Sequence, residues 1–526
     1  MRDFHHPNRS LVYAENGLAA TSHPLASKVA VETLEAGGNA VDAAIAAAVL
    51  QGICEPQMTG IGGDCFALIK PAGAEEVIGL NASGRAPAGF DAAALRAKGW
   101  TEIDLKHGAA VTVPGAVAGF VRLAEDHGRL GLDRLLAPAI RYADAGVPVA
   151  PRVAFDWMEA ADDLQGVARE LYLFDGKPPR PGQIFRAPKQ AAVLRAIAEK
   201  GHAGFYEGEV AEDMVAALRE AGGTHALEDF AACQPDYVTP LRGRYRGTEL
   251  IELPPNGQGA TAILMANMME RFDVAGLDPL GAERIHLEAE ANKLAYDARN
   301  RFIGDPATAG QYLERMLSED TAAALAGLID PDNAMESPAA ISEAVHSDTI
   351  YLTVVDRDRM AVSLIYSIFK DFGACLAAPK TGILFHNRGA GFTLKEGHPN
   401  EAAPGKRPMH TIIPAMLGQG GKITMPFGVM GGQYQAAGHM RFLSNVVDFG
   451  MDPQQAMDAP RSFAADGELQ LERPIGQDVR RALAAKGHNV VTPVTPIGGS
   501  QAISIDPSGV LVGASDPRKD GCALGY

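Results

Sequence analysis

The chain has 526 residues and a formal net charge of −17, from 47 Lys and Arg against 64 Asp and Glu. An acidic surface repels nucleic-acid phosphates, and no basic run overrides it, so nucleic acid is excluded as a partner. Hydrophobic residues at 47% and charged residues at 21% describe a folded protein rather than a disordered one.

The N-terminal MRDFHHPNRSLVYAENG carries charges and lacks the apolar core of a secretory signal. No apolar run approaches the ~20 residues needed to span a bilayer. The sequence therefore predicts a soluble, cytoplasmic protein with no membrane partner. Cys54, Cys65, Cys233, Cys375 and Cys522 are dispersed without a C-x-x-C pair, which supports neither a disulfide framework nor a structural zinc.

In chain order, Pro24 opens a helix over LASKVAVETLEA, and Gly37 and Gly38 stop it. Asn39 then caps a second helix, AVDAAIAAAVLQG, whose alanine content requires close packing. A tight glycine loop, Thr59 to Asp64, leads into a buried strand, CFALIK. From about 110 to 300 the text is mostly helical, with the longest helix expected over 282 to 302. LIELPPNGQGA reads as a strand entering a proline- and glycine-rich loop before another helix.

Around residue 330 the texture changes. PDNAMESPAAISEAVHSD is polar and aperiodic, so it reads as an exposed loop. TIYLTVVD and MAVSLIYSIF follow, two β-branched runs joined by RDR, which predicts a hairpin. A solvated segment thus ends at Thr349, which opens a strand. A threonine there suits an N-terminal nucleophile, because cleavage of the Asp348–Thr349 bond frees an α-amine that can take the hydroxyl proton.

Matching blocks run from residue 17 to the C-terminus. They include SHPLASKVAVETLEAGGNAVDAAIAAA, EPQMTGIGGDCF, ELPPNGQG, EANKLAYDARNRFIGDP, DTIYLTVVDRDRMAVSLIYS, PGKRPMHTIIPA, FGVMGGQYQ and GASDPRKDGCALGY. In these blocks the chain resembles the γ-glutamyltranspeptidase family. The resemblance implies an α+β fold, the four-layer αββα sandwich of N-terminal-nucleophile hydrolases. It also implies self-cleavage into a large part, 1–348, and a small part, 349–526, that share one continuous core, with a small-molecule amide as substrate. This chemistry requires no cofactor and no metal. Homo-oligomerisation is left open.

By the same resemblance Thr349 is the nucleophile, Ser367 is the hydroxyl that hydrogen-bonds it, and Gly431 and Gly432 supply the oxyanion-hole amides. The departures lie in the substrate pocket. The family's carboxylate-binding arginine falls at Ser83, its ammonium-binding aspartate at Gly391, an acyl-holding asparagine at Phe369, and its paired serines at His410 and Thr411. Arg85 and Arg388 lie close by in sequence, so Arg85, Phe369, Arg388, His410 and Thr411 are the expected substrate-binding residues. Two arginines without the aspartate suit a carboxylate-bearing acyl group that has no ammonium. GILFHNRGAGF and PGKRPMHTIIPA resemble the branch of the family that contains oxamate amidohydrolase.

Rival readings are weaker. TGIGGD lacks the spacing of a dinucleotide loop and follows a helix. His286 with Glu288 does not form a metalloprotease motif. Gly513 to Pro517 fails the nucleophile-elbow pattern at its fifth position. The alternatives carried forward are a true γ-glutamyltransferase or glutathione hydrolase, and an uncleaved pseudoenzyme that binds without reacting.

Overall fold

The computed structural model describes residue 5, residues 8–336 and residues 349–526. Asp348 and most of the expected loop at 331–348 lie outside the described residues.

Two seven-stranded antiparallel sheets stack face to face. One runs, in spatial order, Val12–Ala14, Leu511–Ser515, Gly499–Ile505, Lys422–Met430, Ala415–Gln419, Thr248–Glu252 and Leu241–Tyr245. The other runs Ala523–Gly525, Leu18–Ala20, Ile350–Val355, Ala361–Ser367, Asp64–Lys70, Ile78–Ala82 and Asp236–Val238. Leu68, Tyr351 and Ile365 meet Ile251, Met416 and Ile503 in the layer between the sheets.

Helices cover both outer faces. Ala40–Cys54 and Ala116–His127 pack on one sheet, in a core that includes Leu352 and Leu364. Gly259–Met269, Ala282–Phe302 and Gln435–Val447 pack on the other, with Leu417 and Val429. The result is the four-layer αββα sandwich. Because each sheet is covered on both faces, central strands such as Ile350–Val355 and Ala361–Ser367 show nearly unbroken apolar runs rather than alternation. Ile350–Val355 is buried at every position, yet Ile350, Leu352 and Val354 face the helices while Tyr351 and Val355 face the other sheet.

Local signals act where expected. Asn39 Oδ1 accepts from the Val41 and Asp42 amides at 3.0 Å each, and Asp42 returns a bond to the Asn39 amide at 2.9 Å. Such a capping box contributes about 1 kcal/mol. Every residue of Ala40–Cys54 is buried, and the small side chains permit that approach. The hairpin pairs Ile350 with Tyr366 and Val355 with Ala361. The long helix spans Ala282–Phe302. One expectation needs correction: the region from 110 to 300 also holds the strands Asp236–Val238 and Leu241–Tyr245, the latter of which contributes an edge to its sheet. LRGRY has charges on its exposed positions, so it does not read as a strand until a covering helix is in view. Among the described residues no helix is long and apolar enough to cross a membrane.

Candidate functional site

Thr349 sits immediately before Ile350–Val355 and is 1% exposed. Its Oγ1 donates to Ser367 Oγ at 3.1 Å, across the first rung of the hairpin. Ser367 ends its strand and stands opposite Asp64 in the neighbouring one. The glycine loop is pressed against this strand end. A Cβ on Gly63 would lie 2.4 Å from the Ser367 carbonyl oxygen, and one on Gly62 would lie 2.0 Å from that of Leu384. Only glycine fits at these two positions, so the loop that resembles a nucleotide cradle is a packing element beneath the hydroxyl pair.

From Ser367 a chain of contacts leads outward. The Phe369 amide donates to Ser367 Oγ at 2.8 Å, which needs a left-handed backbone at Phe369, φ +79°. The Arg388 guanidinium lies 3.9 Å from the centre of the Phe369 ring. Arg388 Nη1 donates to Thr411 Oγ1 at 3.0 Å. The Thr411 carbonyl accepts from Gln258 Nε2 at 2.6 Å, and the same amide group donates to the Gly432 carbonyl at 3.1 Å. Thr349, Ser367, Phe369, Arg388, Thr411 and Gly432 are therefore joined in one buried network, with Gln258 as a link that the sequence did not single out.

Gly431 and Gly432 follow the strand Lys422–Met430, with φ of +122° and +52°. A Cβ at Gly431 would approach Gly498 Cα to 2.9 Å. The turn is thus restricted to glycine by conformation and by space. Among the described residues no side chain or loop carbonyl accepts from either N–H.

A cavity of about 550 Å³ opens beside the network. Phe369, Arg388, Gly391, Thr411 and Gln433 line it; Thr349 does not. Among the described residues its cations are Arg299, Lys370, Arg388 and Lys395, and its one acid, Glu102, is exposed. Arg388 is 1% exposed, and its Nη2 has no hydrogen-bond partner among the described residues. Burial pushes the guanidinium down to about 9, the distant Asp64 carboxylate offsetting only part of that. A Cβ at Gly391 would lie 2.7 Å from the Met409 carbonyl oxygen, so an aspartate has no room there.

Two expected substrate ligands are placed elsewhere. Arg85 is half exposed, bonds the Gly405 carbonyl at 3.0 Å, and pairs with Asp236 at 3.2 Å and Asp305 at 3.6 Å. It does not line the cavity. His410 is fully buried and also outside the lining; its Nε2 lies 3.4 Å from Asp64 Oδ2, and its ring packs on Phe66. Burial pushes His410 down to about 3, with Arg388 adding to the effect, so the imidazole is neutral. Burial alone would raise Asp64, but His386, His410 and the Gly84 amide hold its carboxyl well below the usual range. Asp64 also accepts from the Gly84 and Gly115 amides at 2.9 and 3.1 Å. The group is a polar brace under the pocket floor.

Among the described residues one set could present three metal-type ligands, namely His286, Glu290 and His488, not His286 with Glu288. Its hydrogen bonds are already made. His286 Nδ1 and His488 Nε2 are 2.8 Å apart, and His286 Nε2 donates to the Asp330 carbonyl at 2.7 Å. Glu290 takes the Lys293 ammonium at 2.7 Å and the Met335 amide at 2.9 Å. Lys293 supplies the positive charge that Glu290 requires, so the cluster reads as an anchor for the segment that carries Asp330 and Met335.

The family model described as gamma-glutamyltranspeptidase matches residues 26–526. The chain belongs to the γ-glutamyltranspeptidase family. Within it, the chain is 36% identical to the glutathione hydrolase-like YwrD proenzyme of Bacillus subtilis, over 98% of this chain and 100% of that one. It is 34% identical to the oxamate amidohydrolase proenzyme of Klebsiella pneumoniae, covering 97% and 98% respectively. The crystal structure of cephalosporin acylase from Bacillus halodurans superimposes with a TM-score of 0.93 and 37% identity, over 100% of this chain and 99% of that one. The γ-glutamyltranspeptidase-family relatives establish this chain as an enzyme, an amidohydrolase with the N-terminal-nucleophile fold.

Proposed function

We propose that this enzyme cuts itself before Thr349 and then hydrolyses a small amide whose acyl half carries a carboxylate and no ammonium. The observation that supports this most is Arg388: among the described residues it is a buried guanidinium with an unpartnered Nη2, in a cavity whose single acid is exposed. A substrate carboxylate would complete its fork. A γ-glutamyl ammonium would find no buried acid there, at a cost of several kcal/mol.

In the reaction, the freed Thr349 amine takes the hydroxyl proton as Oγ1 attacks the amide carbon. A free α-amine has a pKa near 8, so about a tenth is neutral at pH 7. The Gly431 and Gly432 amides receive the oxyanion, each contributing about 3 kcal/mol. The proton passes to the departing amine, and water resolves the acyl-threonine. Ser367 fixes the rotamer of the attacking hydroxyl.

Oxamate is the simplest amide that fits this description. The volume of about 550 Å³ favours a second reading, in which longer monoamides of dicarboxylic acids are better substrates, since pockets of this size hold drug-sized ligands. The test is intact mass followed by a substrate panel. Wild type should resolve into two pieces, the smaller starting at Thr349, whereas Thr349→Ala should remain at 55.3 kDa. The panel comprises oxamate, succinamate, glutaramate and γ-glutamyl p-nitroanilide. Faster turnover of the anilide than of every other amide would refute the carboxylate reading, and an uncut, inactive wild type would favour a binding protein.

A further inference from the structure

We infer that Arg299 is a positioning residue for this reaction, fixing the Gly431–Gly432 turn through Gln258 and Gln433. The inference rests on the reading of that turn as the oxyanion-binding element.

Arg299 lies in the last turn of Ala282–Phe302 and is 2% exposed. Its Nη1 donates to Gln258 Oε1 at 2.9 Å and also to Gln433 Oε1. Nε and Nη2 both donate to Asn300 Oδ1, at 3.0 and 2.8 Å. Its partners converge on one place. Gln258 passes the contact to the Gly432 carbonyl, and Tyr296 Oη bonds the Gln433 carbonyl. The turn is therefore held on its carbonyl side, which leaves its N–H groups to face a reacting oxygen.

The acceptors are all neutral amide oxygens. Among the described residues no carboxylate pairs with Arg299; burial pushes its guanidinium down to about 10, Tyr296 offsetting only part of that, and the Tyr296 ring lies 4.4 Å from Cζ. A guanidinium retained in an apolar setting without an acid is costly. The geometry accounts for that cost: Nη1 gives its two N–H groups to the two glutamine oxygens while Nε and Nη2 clasp Asn300 Oδ1, so one planar group holds three amide oxygens at once, where a lysine has only three donors on a single rotatable ammonium. Arg299 also lies along the cavity wall.

The experiment compares Arg299→Met, Arg299→Lys, Gln433→Ala and the double variant Arg299→Met/Gln433→Ala, each isolated as processed enzyme. The assay uses whichever panel amide wild type hydrolyses fastest. Arg299→Met should lower kcat about 100-fold with KM changed less than about threefold, because a displaced oxyanion donor affects the transition state and not substrate binding. Arg299→Lys should recover part of the loss. The double variant should be no slower than the slower single variant, since both break one path. A rise in KM at constant kcat, losses that multiply, or no loss would each overturn the inference. Should Arg299→Met not fold or not process, Gln433→Ala decides: about a tenfold fall in kcat is expected, and an unchanged kcat refutes the proposal. Full activity of Thr349→Ala would overturn the underlying mechanism instead, whatever Arg299 does.

Discussion

Two of the regions that bury arginines treat the charge in opposite ways. Around Asp516, Arg461 and Arg518 face Asp516 and Glu472; Arg518 bonds Glu472 at 2.5 Å and Asp516 at 3.2 Å. Each cation there has an acid, and the Arg518 guanidinium is pushed up despite its burial. Beside the cavity, Arg388 and Arg299 have no ion pair among the described residues, and burial pushes them down to about 9 and 10. The first arrangement closes the C-terminal strands onto their neighbours. The second leaves positive charge without an ion-pair partner, a costly arrangement of the kind that clusters at functional sites.

Perturbing the cavity side should affect catalysis, and the size of the effect should track distance from the reacting atoms. Thr349→Ala should abolish self-cleavage and lower turnover by on the order of 10⁴-fold or more, read by intact mass and steady-state rates. Arg388→Met should lower kcat/KM for carboxylate amides about 100-fold. Its stability should move the other way. The folded guanidinium lies below its ordinary value, so folding disfavours the charged form at every pH below about 9, and removing the charge should leave the melting temperature unchanged or higher.

With the α-amine as base, kcat/KM should fall about tenfold per pH unit below a pKa near 8. His410 is neutral down to about 3, so it should add no inflection to that profile above pH 4. Ser367→Ala should cost about tenfold in kcat, the worth of one neutral hydrogen bond. Arg85→Ala closes the series: its pair with Asp236 is half exposed, so kcat/KM should change less than about twofold. A large effect of Arg85→Ala would dissolve the distinction between the two kinds of arginine.

The sequence showed what depends on neighbours in the chain. The capped helix after Asn39 and the hairpin that starts at Thr349 are local patterns, whereas Ser367, Gly431 and Gly432 were singled out by the family resemblance. The apolar run CFALIK likewise read as a buried strand, while the four-layer sandwich came from the family resemblance. What escaped depends on partners far along the chain. Arg85 was expected in the pocket because of its position beside Ser83, but Asp236 and Asp305 draw it to the surface. His410 was expected to face the substrate, yet Asp64 holds it inward. Gln258 and Arg299 lie within blocks that match the family, yet nothing local marks either as part of a site; they become meaningful only when three segments converge on one turn.

The order of strands has a further consequence. Ile350–Val355 and Ala361–Ser367 lie between Leu18–Ala20 and Asp64–Lys70, with Thr353 laddered to Ala20 and Ser363 to Leu68. A break ahead of Thr349 would therefore yield two polypeptides that are woven together rather than docked. Such pieces do not come apart on dilution: specific activity stays constant across concentrations at which a docked pair dissociates, and tagged and untagged halves do not exchange. Mixing separately made halves restores nothing unless both are unfolded first, because the smaller piece can enter its place only while the larger one is still open.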